Sequence, residues 1–168
     1  MSERAIYLCG FMGCGKTTVG KKLAKMLNKE LIDLDAYIVE KEGMNIPEIF
    51  EKYGEPYFRA VETAGLKELA QEGGIIATGG GALLSDENGE VAKSAGLVIF
   101  IDTPFEVCYE RIKDDPNRPI AFNSTEQELR ERFNYRRPLY IRNSHFSVNG
   151  QGTSKAIALR IKDIYQGK

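Results

Sequence analysis

Ala5-Ile6-Tyr7-Leu8-Cys9-Gly10-Phe11-Met12-Gly13-Cys14-Gly15-Lys16-Thr17 passes from five consecutive apolar residues into a run punctuated by glycine and closed by Lys-Thr. An unbroken apolar run of strand length that stops at glycine suits a strand buried on both faces of a parallel sheet. From Lys16 onward the apolar residues fall at Val19, Leu23, Met26 and Leu27, the stripe of an amphipathic helix. Strand therefore gives way to helix across Gly10 to Thr17, which satisfies G-x-x-x-x-G-K-[ST] in full and in the structural context where that pattern has meaning. The glycines let backbone N–H groups turn inward around phosphate oxygens, and the helix N-terminus adds its positive end. Lys16 reaches the β- and γ-phosphates, and the Thr17 hydroxyl is a ligand for Mg²⁺. The turn itself, Gly13, Cys14, Gly15, Lys16, Thr17 and Thr18, is the expected ATP-binding set. The bland alternative is a glycine turn that happens to precede Lys-Thr. Cys14 has two readings of its own: a small residue filling a tight turn, or a thiol activated by the helix N-terminus.

The alternation continues along the chain. Glu30 to Leu34, Gly74 to Thr78, Leu97 to Ile101 and, more weakly, Phe146 to Val148 read as further strands. Helical patterns fill Ala36 to Glu42, Pro47 to Tyr53, Tyr57 to Gln71, Phe105 to Lys113, Glu126 to Tyr140 and Ser154 to Tyr165. Strands alternating with helices predict an α/β domain with a five-stranded parallel sheet flanked by helices. Asp114 to Ser124 is rich in turn residues and proline and is expected to be a surface loop of the length at which loops act as lids.

A length of 168 residues predicts one domain, 1–168, with a core that needs neither metal nor disulfide staple. Hydrophobic residues at 42% against charged residues at 28% exclude a disordered, collagen-like or membrane-spanning chain. Twenty-three Lys and Arg oppose 24 Asp and Glu, so no whole-chain field draws in nucleic acid or an acidic membrane, and phosphate chemistry must rest on local charge. Cys9, Cys14 and Cys108 are odd in number and lack metal-ligand spacing, which predicts a reducing, cytoplasmic setting. The apolar run Ala5 to Met12 is read as a strand rather than a signal segment, because Gly and Lys follow at once.

Chemistry-bearing residues cluster at predicted strand ends, where open α/β sheets bind ligands. Asp33-Leu34-Asp35 puts two carboxylates on one side of an extended segment, one suited to a Mg²⁺ water and the other to an alcohol proton. Helix capping, plausible for Asp35, is the competing role. Glu55, Arg59 and Glu62 share a helix face, either as a surface ion-pair ladder or as part of a site. Ile75-Ile76-Ala77-Thr78 runs into Gly79-Gly80-Gly81, and a plain turn rarely needs three glycines given their entropic cost. His145 is expected to be an exposed or capping residue rather than a general base.

Gly10 to Thr17, Asp33-Leu34-Asp35, Phe58-Arg59-Ala60-Val61-Glu62, Thr78-Gly79-Gly80-Gly81, Asn117-Arg118-Pro119 and Arg136-Arg137-Pro138-Leu139-Tyr140 stand in the order and approximate spacing of the shikimate kinases, which the chain resembles over nearly its whole length. The resemblance implies a P-loop NTPase fold of the nucleoside-monophosphate-kinase type, with a shikimate-binding segment near 34–60 and a lid near 113–125. It implies transfer of the γ-phosphoryl of MgATP to the 3-hydroxyl of shikimate, on the route to chorismate and aromatic amino acids, by a monomer. Lys16, Asp35 and Arg118 would be catalytic. Arg59 and Arg136 would clamp the substrate carboxylate, Gly79, Gly80 and Gly81 would bind substrate through their backbone, and Glu62 would steady Arg59. Arg111 and Arg118 would contact nucleotide, and Asp33 would reach Mg²⁺ through water beside Thr17. Arg136 rather than Arg137 is the matching residue because it stands two positions before Pro138. Asn149 to Thr153, the adenine-side loop, departs from the pattern in lacking a proline that some relatives have. Gluconate kinases and nucleoside monophosphate kinases share the fold, but neither combines these motifs in this order. A nucleotide-binding regulator that has lost catalysis would have lost the acceptor residues, which are all present.

Overall fold

A computed structural model describes residues 4–116 and 118–167. Five strands, β1 (Ala5–Cys9), β2 (Leu31–Asp33), β3 (Ile75–Ala77), β4 (Gly96–Asp102) and β5 (Phe146–Asn149), form one parallel sheet in the order β2-β3-β1-β4-β5. β1 is buried along its whole length because it lies at the centre, as its unbroken apolar run requires. Edge strand β5 is mostly exposed instead, with Val148 alone of its four residues buried, which is why its sequence signal is weak.

Helices connect and flank the strands: α1 (Lys16–Leu27), α2 (Leu34–Glu42), α3 (Ile46–Tyr53), α4 (Glu55–Ala70), α5 (Asp86–Ala95), α6 (Phe105–Ile112), α7 (Pro119–Phe122), α8 (Glu126–Arg142) and α9 (Ser154–Tyr165). α1 packs on α9, and α4 packs on α3 and α5. Among the described residues no helix is long and apolar enough to cross a membrane.

Three sequence expectations need correction. Asp33-Leu34-Asp35 is not an extended segment: β2 stops at Asp33, whose carboxylate caps α2 by accepting from the Ala36 N–H at 2.9 Å. The capping residue is therefore Asp33, and Asp35 stands in the first helical turn. α5 was not anticipated, because Asn88, Gly89 and two alanines leave it without an apolar stripe, although Ser85 followed by Asp86 and Glu87 is a helix-start signal. The 114–124 stretch is not wholly loop, since α7 interrupts it; Asn117 of that stretch lies outside the described residues. His145 pairs with the β4 backbone, its Nδ1 accepting from Val98 N–H at 3.0 Å, a structural role away from the strand carboxyl ends.

The chain leaves β1 toward β2 at one edge and leaves β3 toward β4 on the opposite side of β1, which places the topological switch, and so the ligand crevice, at the carboxyl ends of β1 and β3. Both ends rest on a packed base. Tyr7, fully buried in β1, donates its hydroxyl to the Leu66 carbonyl of α4 at 2.6 Å. Tyr7→Phe leaves that carbonyl without its partner and is expected to lower unfolding stability by about 1–2 kcal/mol. Urea denaturation and a thermal midpoint reduced by roughly 3–6 °C check it.

Candidate active site

A cavity of about 610 Å³ opens over the carboxyl ends of β1 and β3, lined by the turn Met12 to Val19, by Asp33 and Asp35, by Thr78 to Gly80, by Arg111 and Arg118, and by Gly150, Gly152, Ser154 and Ile157. The expected nucleotide and metal residues, Asp35, Gly79 and Gly80 line one crevice. Arg59, Gly81 and Arg136 do not line it but adjoin it through the glycine turn, Arg136 against Gly80 and Arg59 against Gly81.

The phosphate turn has its shape for steric reasons. Gly13 has φ +78°, and a Cβ built on it would lie 2.8 Å from Ile112 Cγ2 and 3.0 Å from the Cys108 carbonyl of α6. Only glycine fits both the backbone angle and the gap. Phe11 anchors the turn from below, 5.2 Å from the Phe133 ring and 6.5 Å from Phe105. Thr103, a buried residue the sequence reading missed, donates its hydroxyl to the Cys14 carbonyl at 2.9 Å and so turns that carbonyl away from the crevice. Cys14 is itself buried, as are Cys9 and Cys108, which supports the packing reading of its thiol. Lys16 folds back on its own loop, its Nζ donating to Gly10 O at 2.6 Å and Phe11 O at 3.3 Å. A phosphate oxygen is a stronger acceptor for an ammonium than these neutral carbonyls, so the exchange favours anion binding. Arg111 donates to Gly13 O at 2.8 Å from the nucleotide side. Arg118, exposed, faces the same cavity with its Nε 3.4 Å from Asp115.

On the acceptor side the three consecutive glycines serve room rather than backbone angle, since none of them has a positive φ. A Cβ on Gly79 would lie 2.6 Å from Asp35 Oδ2, so the missing side chain is what lets the carboxylate approach the turn. Arg136 lies against Gly80, donating from Nη1 to its carbonyl at 3.4 Å, while Tyr140 donates to the same carbonyl at 2.7 Å. Arg59 lies against Gly81 and pairs with the buried Glu62 at 2.9 Å. Arg137, next to Arg136, points elsewhere and grips Asp102 through two bonds of 3.0 and 2.7 Å.

Asp35 is partly buried, and burial, followed by the nearby Asp33 and Glu62 carboxylates, pushes its carboxyl from 3.8 up to about 6, against the pull of Lys16 and Arg59. That value suits a group that takes a proton near neutrality. For a divalent cation the fit rests on the donor set: Thr17 hydroxyl at the start of α1, and an Asp33 carboxylate with one oxygen spent on its cap and a second able to accept from a metal-bound water. Among the described residues no group of three His, Cys, Asp or Glu could hold a metal. A Mg²⁺ ion carried largely by nucleotide phosphates and water needs no such cage.

Comparison with known proteins agrees with this geometry. The family model described as Shikimate kinase matches residues 12–166. A shikimate kinase of Acinetobacter baumannii (strain AYE) is 43% identical over 159 residues, covering 93% of this chain and 88% of that protein. One of Staphylococcus aureus (strain JH9) is 46% identical over 126 residues, covering 75% of this chain and 72% of the relative. Among solved structures, the Acinetobacter baumannii shikimate kinase in complex with shikimate superposes with a TM-score of 0.86 at 40% identity, over 99% of this chain and 94% of that one.

The raised Asp35 value has a stability consequence. Folding favours its protonated form, so the stabilising contribution is complete below pH 3.8 and is lost as pH rises through about 6. Asp35→Asn is therefore expected to be more stable than the parent at pH 7 by about 1–3 kcal/mol, with the difference closing below about pH 4. Urea unfolding at the two pH values reads it directly.

Proposed function

The chain belongs to the shikimate kinase family, and we propose from that membership and from the crevice that it transfers the γ-phosphoryl of MgATP to the 3-hydroxyl of shikimate, giving shikimate 3-phosphate and ADP. The observation that carries the acceptor assignment is the glycine turn flanked by Asp35 at Gly79, Arg136 at Gly80 and Arg59 at Gly81. A base and two guanidinium forks on adjoining residues fit a small polyol carboxylate, with the acid at the arginines and a hydroxyl at Asp35. A nucleoside monophosphate offers no carboxylate for that pair.

Each residue then has a task. Backbone N–H groups of Gly13 to Thr18 and the α1 N-terminus receive the phosphates, and Lys16 leaves its loop carbonyls for the β- and γ-oxygens. Thr17, with Asp33 acting through a water, would hold Mg²⁺, which when bound would supply charge neutralisation on the phosphates. Asp35 orients the 3-hydroxyl and accepts its proton as the oxygen bonds to phosphorus. Arg118, from the lid, faces the equatorial oxygens and stabilises their charge. The lid also excludes water, which would otherwise accept the phosphoryl group. Arg111 and the loop Asn149–Thr153, with Gly150 and Gly152 at the cavity wall, border the nucleoside. Three unpaired thiols suit work in the reducing cytoplasm, and the reaction needs one chain only.

A coupled ADP-release assay with shikimate, gluconate and AMP in parallel tests the acceptor; turnover with shikimate is expected, and its absence overturns the reading. With wild type, kcat/KM for shikimate is expected to rise with pH to a plateau above about 6 as Asp35 ionises. Arg118→Ala should lower kcat by roughly 10²–10³-fold with little change in shikimate binding. Arg136→Ala should instead raise the shikimate KM by roughly 10–100-fold while ATP binding holds.

A further inference from the structure

We propose that Asn88 is a positioning residue for recognition of the acceptor's carboxylate: it fixes Arg59 through Glu62 and ties that pair to the turn that follows β3. The inference rests on the reading of Arg59 as a carboxylate clamp. Asn88 is 1% exposed and Glu62 2%, so both are inside the protein, while the Arg59 side chain is 40% exposed. Burial alone therefore does not hold the arginine in place. Its own helix offers it two carboxylates, Glu62 Oε1 at 2.9 Å and the solvent-facing Glu55 Oε1 at 3.7 Å.

Asn88 biases that choice. Its Nδ2 donates to Glu62 Oε1 at 3.1 Å and to the Ala82 carbonyl at 2.9 Å, while its Oδ1 meets the Thr63 hydroxyl. The amide faces this way because the Ala82 carbonyl can only accept, so the group turned toward it must be the NH2; the Thr63 hydroxyl also reaches the Arg59 carbonyl at 2.9 Å and does not fix the choice. A single oxygen of Glu62 thus receives donors from α4 and α5 together. Burial pushes the Glu62 carboxyl up, and the bonds from Arg59 and Asn88 oppose that, which keeps the carboxylate able to hold the guanidinium. With Glu62 held from behind, Arg59 is aimed at Gly81 rather than out toward Glu55.

The other side of the turn has a matching brace. Asn143, at the end of the helix that carries Arg136, donates to the Leu83 carbonyl at 2.9 Å, and its Oδ1 would lie 2.3 Å from a Cβ on Gly89. Adjacent carbonyls of Ala82 and Leu83 are therefore each gripped by a buried asparagine, one on the Arg59 side and one on the Arg136 side. The glycine turn and both arginines share one frame of reference, and α5 supplies the half that the sequence patterns did not reveal.

The test is steady-state kinetics on the full chain with MgATP and shikimate, for wild type, Asn88→Ala, Asn88→Leu, Arg59→Ala and each Asn88 change combined with Arg59→Ala. Asn88→Leu keeps the approximate size and adds no charge while removing both donated bonds, so it carries the comparison if Asn88→Ala fails to fold. Expected is a roughly 5–30-fold rise in shikimate KM with ATP KM within about twofold. The double variants should be no worse than Arg59→Ala alone, because the asparagine acts only through that arginine. Proportional losses for both substrates, or double variants whose KM multiplies the single effects, overturn the proposal in favour of a purely structural asparagine. Shikimate KM unchanged in active Asn88 variants overturns it as well. A wild type that does not phosphorylate shikimate overturns the functional reading itself, a result distinct from either.

Discussion

Thr78 gives both its backbone N–H, at 3.0 Å, and its hydroxyl, at 2.9 Å, to the carbonyl of Leu8. That doubled bond lies in the buried interior, one residue beyond β3 and one short of the end of β1, and it pins the carboxyl ends of the two strands together. Everything reactive departs from these ends. The phosphate turn begins two residues after Leu8 and the glycine turn one residue after Thr78, so donor and acceptor platforms share a fixed origin. A precise approach between two substrates is worth several kcal/mol of barrier only if neither platform drifts. In this fold the drift is suppressed by the sheet ladder rather than by the loops themselves.

Charge is arranged on the same economy. The chain is close to neutral, yet Lys16, Arg111 and Arg118 line the crevice and Arg59 and Arg136 adjoin it at the glycine turn, each already given an acceptor: loop carbonyls for Lys16 and Arg111, Glu62 for Arg59, Asp115 for Arg118, the Gly80 carbonyl for Arg136. Among the described residues Arg136 makes no ion pair, which leaves its full charge for a carboxylate. Arg137 beside it is neutralised by Asp102, so two adjacent arginines of identical chemistry are given opposite fates by their partners. Asp35 is treated in the reverse sense: partial burial, then crowding with the Asp33 and Glu62 carboxylates, makes its ionised form costly, which suits the base proposed for it.

The parts of the fold visible in the sequence were those in which one residue type answers one physical demand. β1 is all apolar because it is all buried, and the P-loop is legible because phosphate binding fixes Gly10, Gly15, Lys16 and Thr17 at set spacings. Asp33 and Asp35 both line the cavity, but not from one strand face, since a spacing of two describes a strand and the chain has turned into a helix by Leu34. The glycines at 79–81 give room to three side chains arriving from α2, α4 and α8, a demand that no local pattern encodes. α5 escaped because its contribution is a buried polar network, and polar residues in a short helix look like solvent-facing ones until their partners, here Glu62 and Ala82, are known.

The two halves of the crevice also differ in how firmly they are built, and the difference follows from what each must do. Asparagines, a buried glutamate and the Tyr140 hydroxyl converge on the acceptor turn from beneath, so its shape is set by interactions sheltered from water. The segment around Arg118 has little of this. Arg118 pairs with a partly exposed carboxylate, and in α7 Ala121 is buried while Ile120 and Phe122 face solvent. Segments with few buried contacts open at low free-energy cost. A firmly braced glycine turn beside a loosely held segment around Arg118 matches what the proposed phosphoryl transfer requires: selection needs fixed donors and acceptors, whereas substrate entry, exclusion of water and product release need a cover that moves.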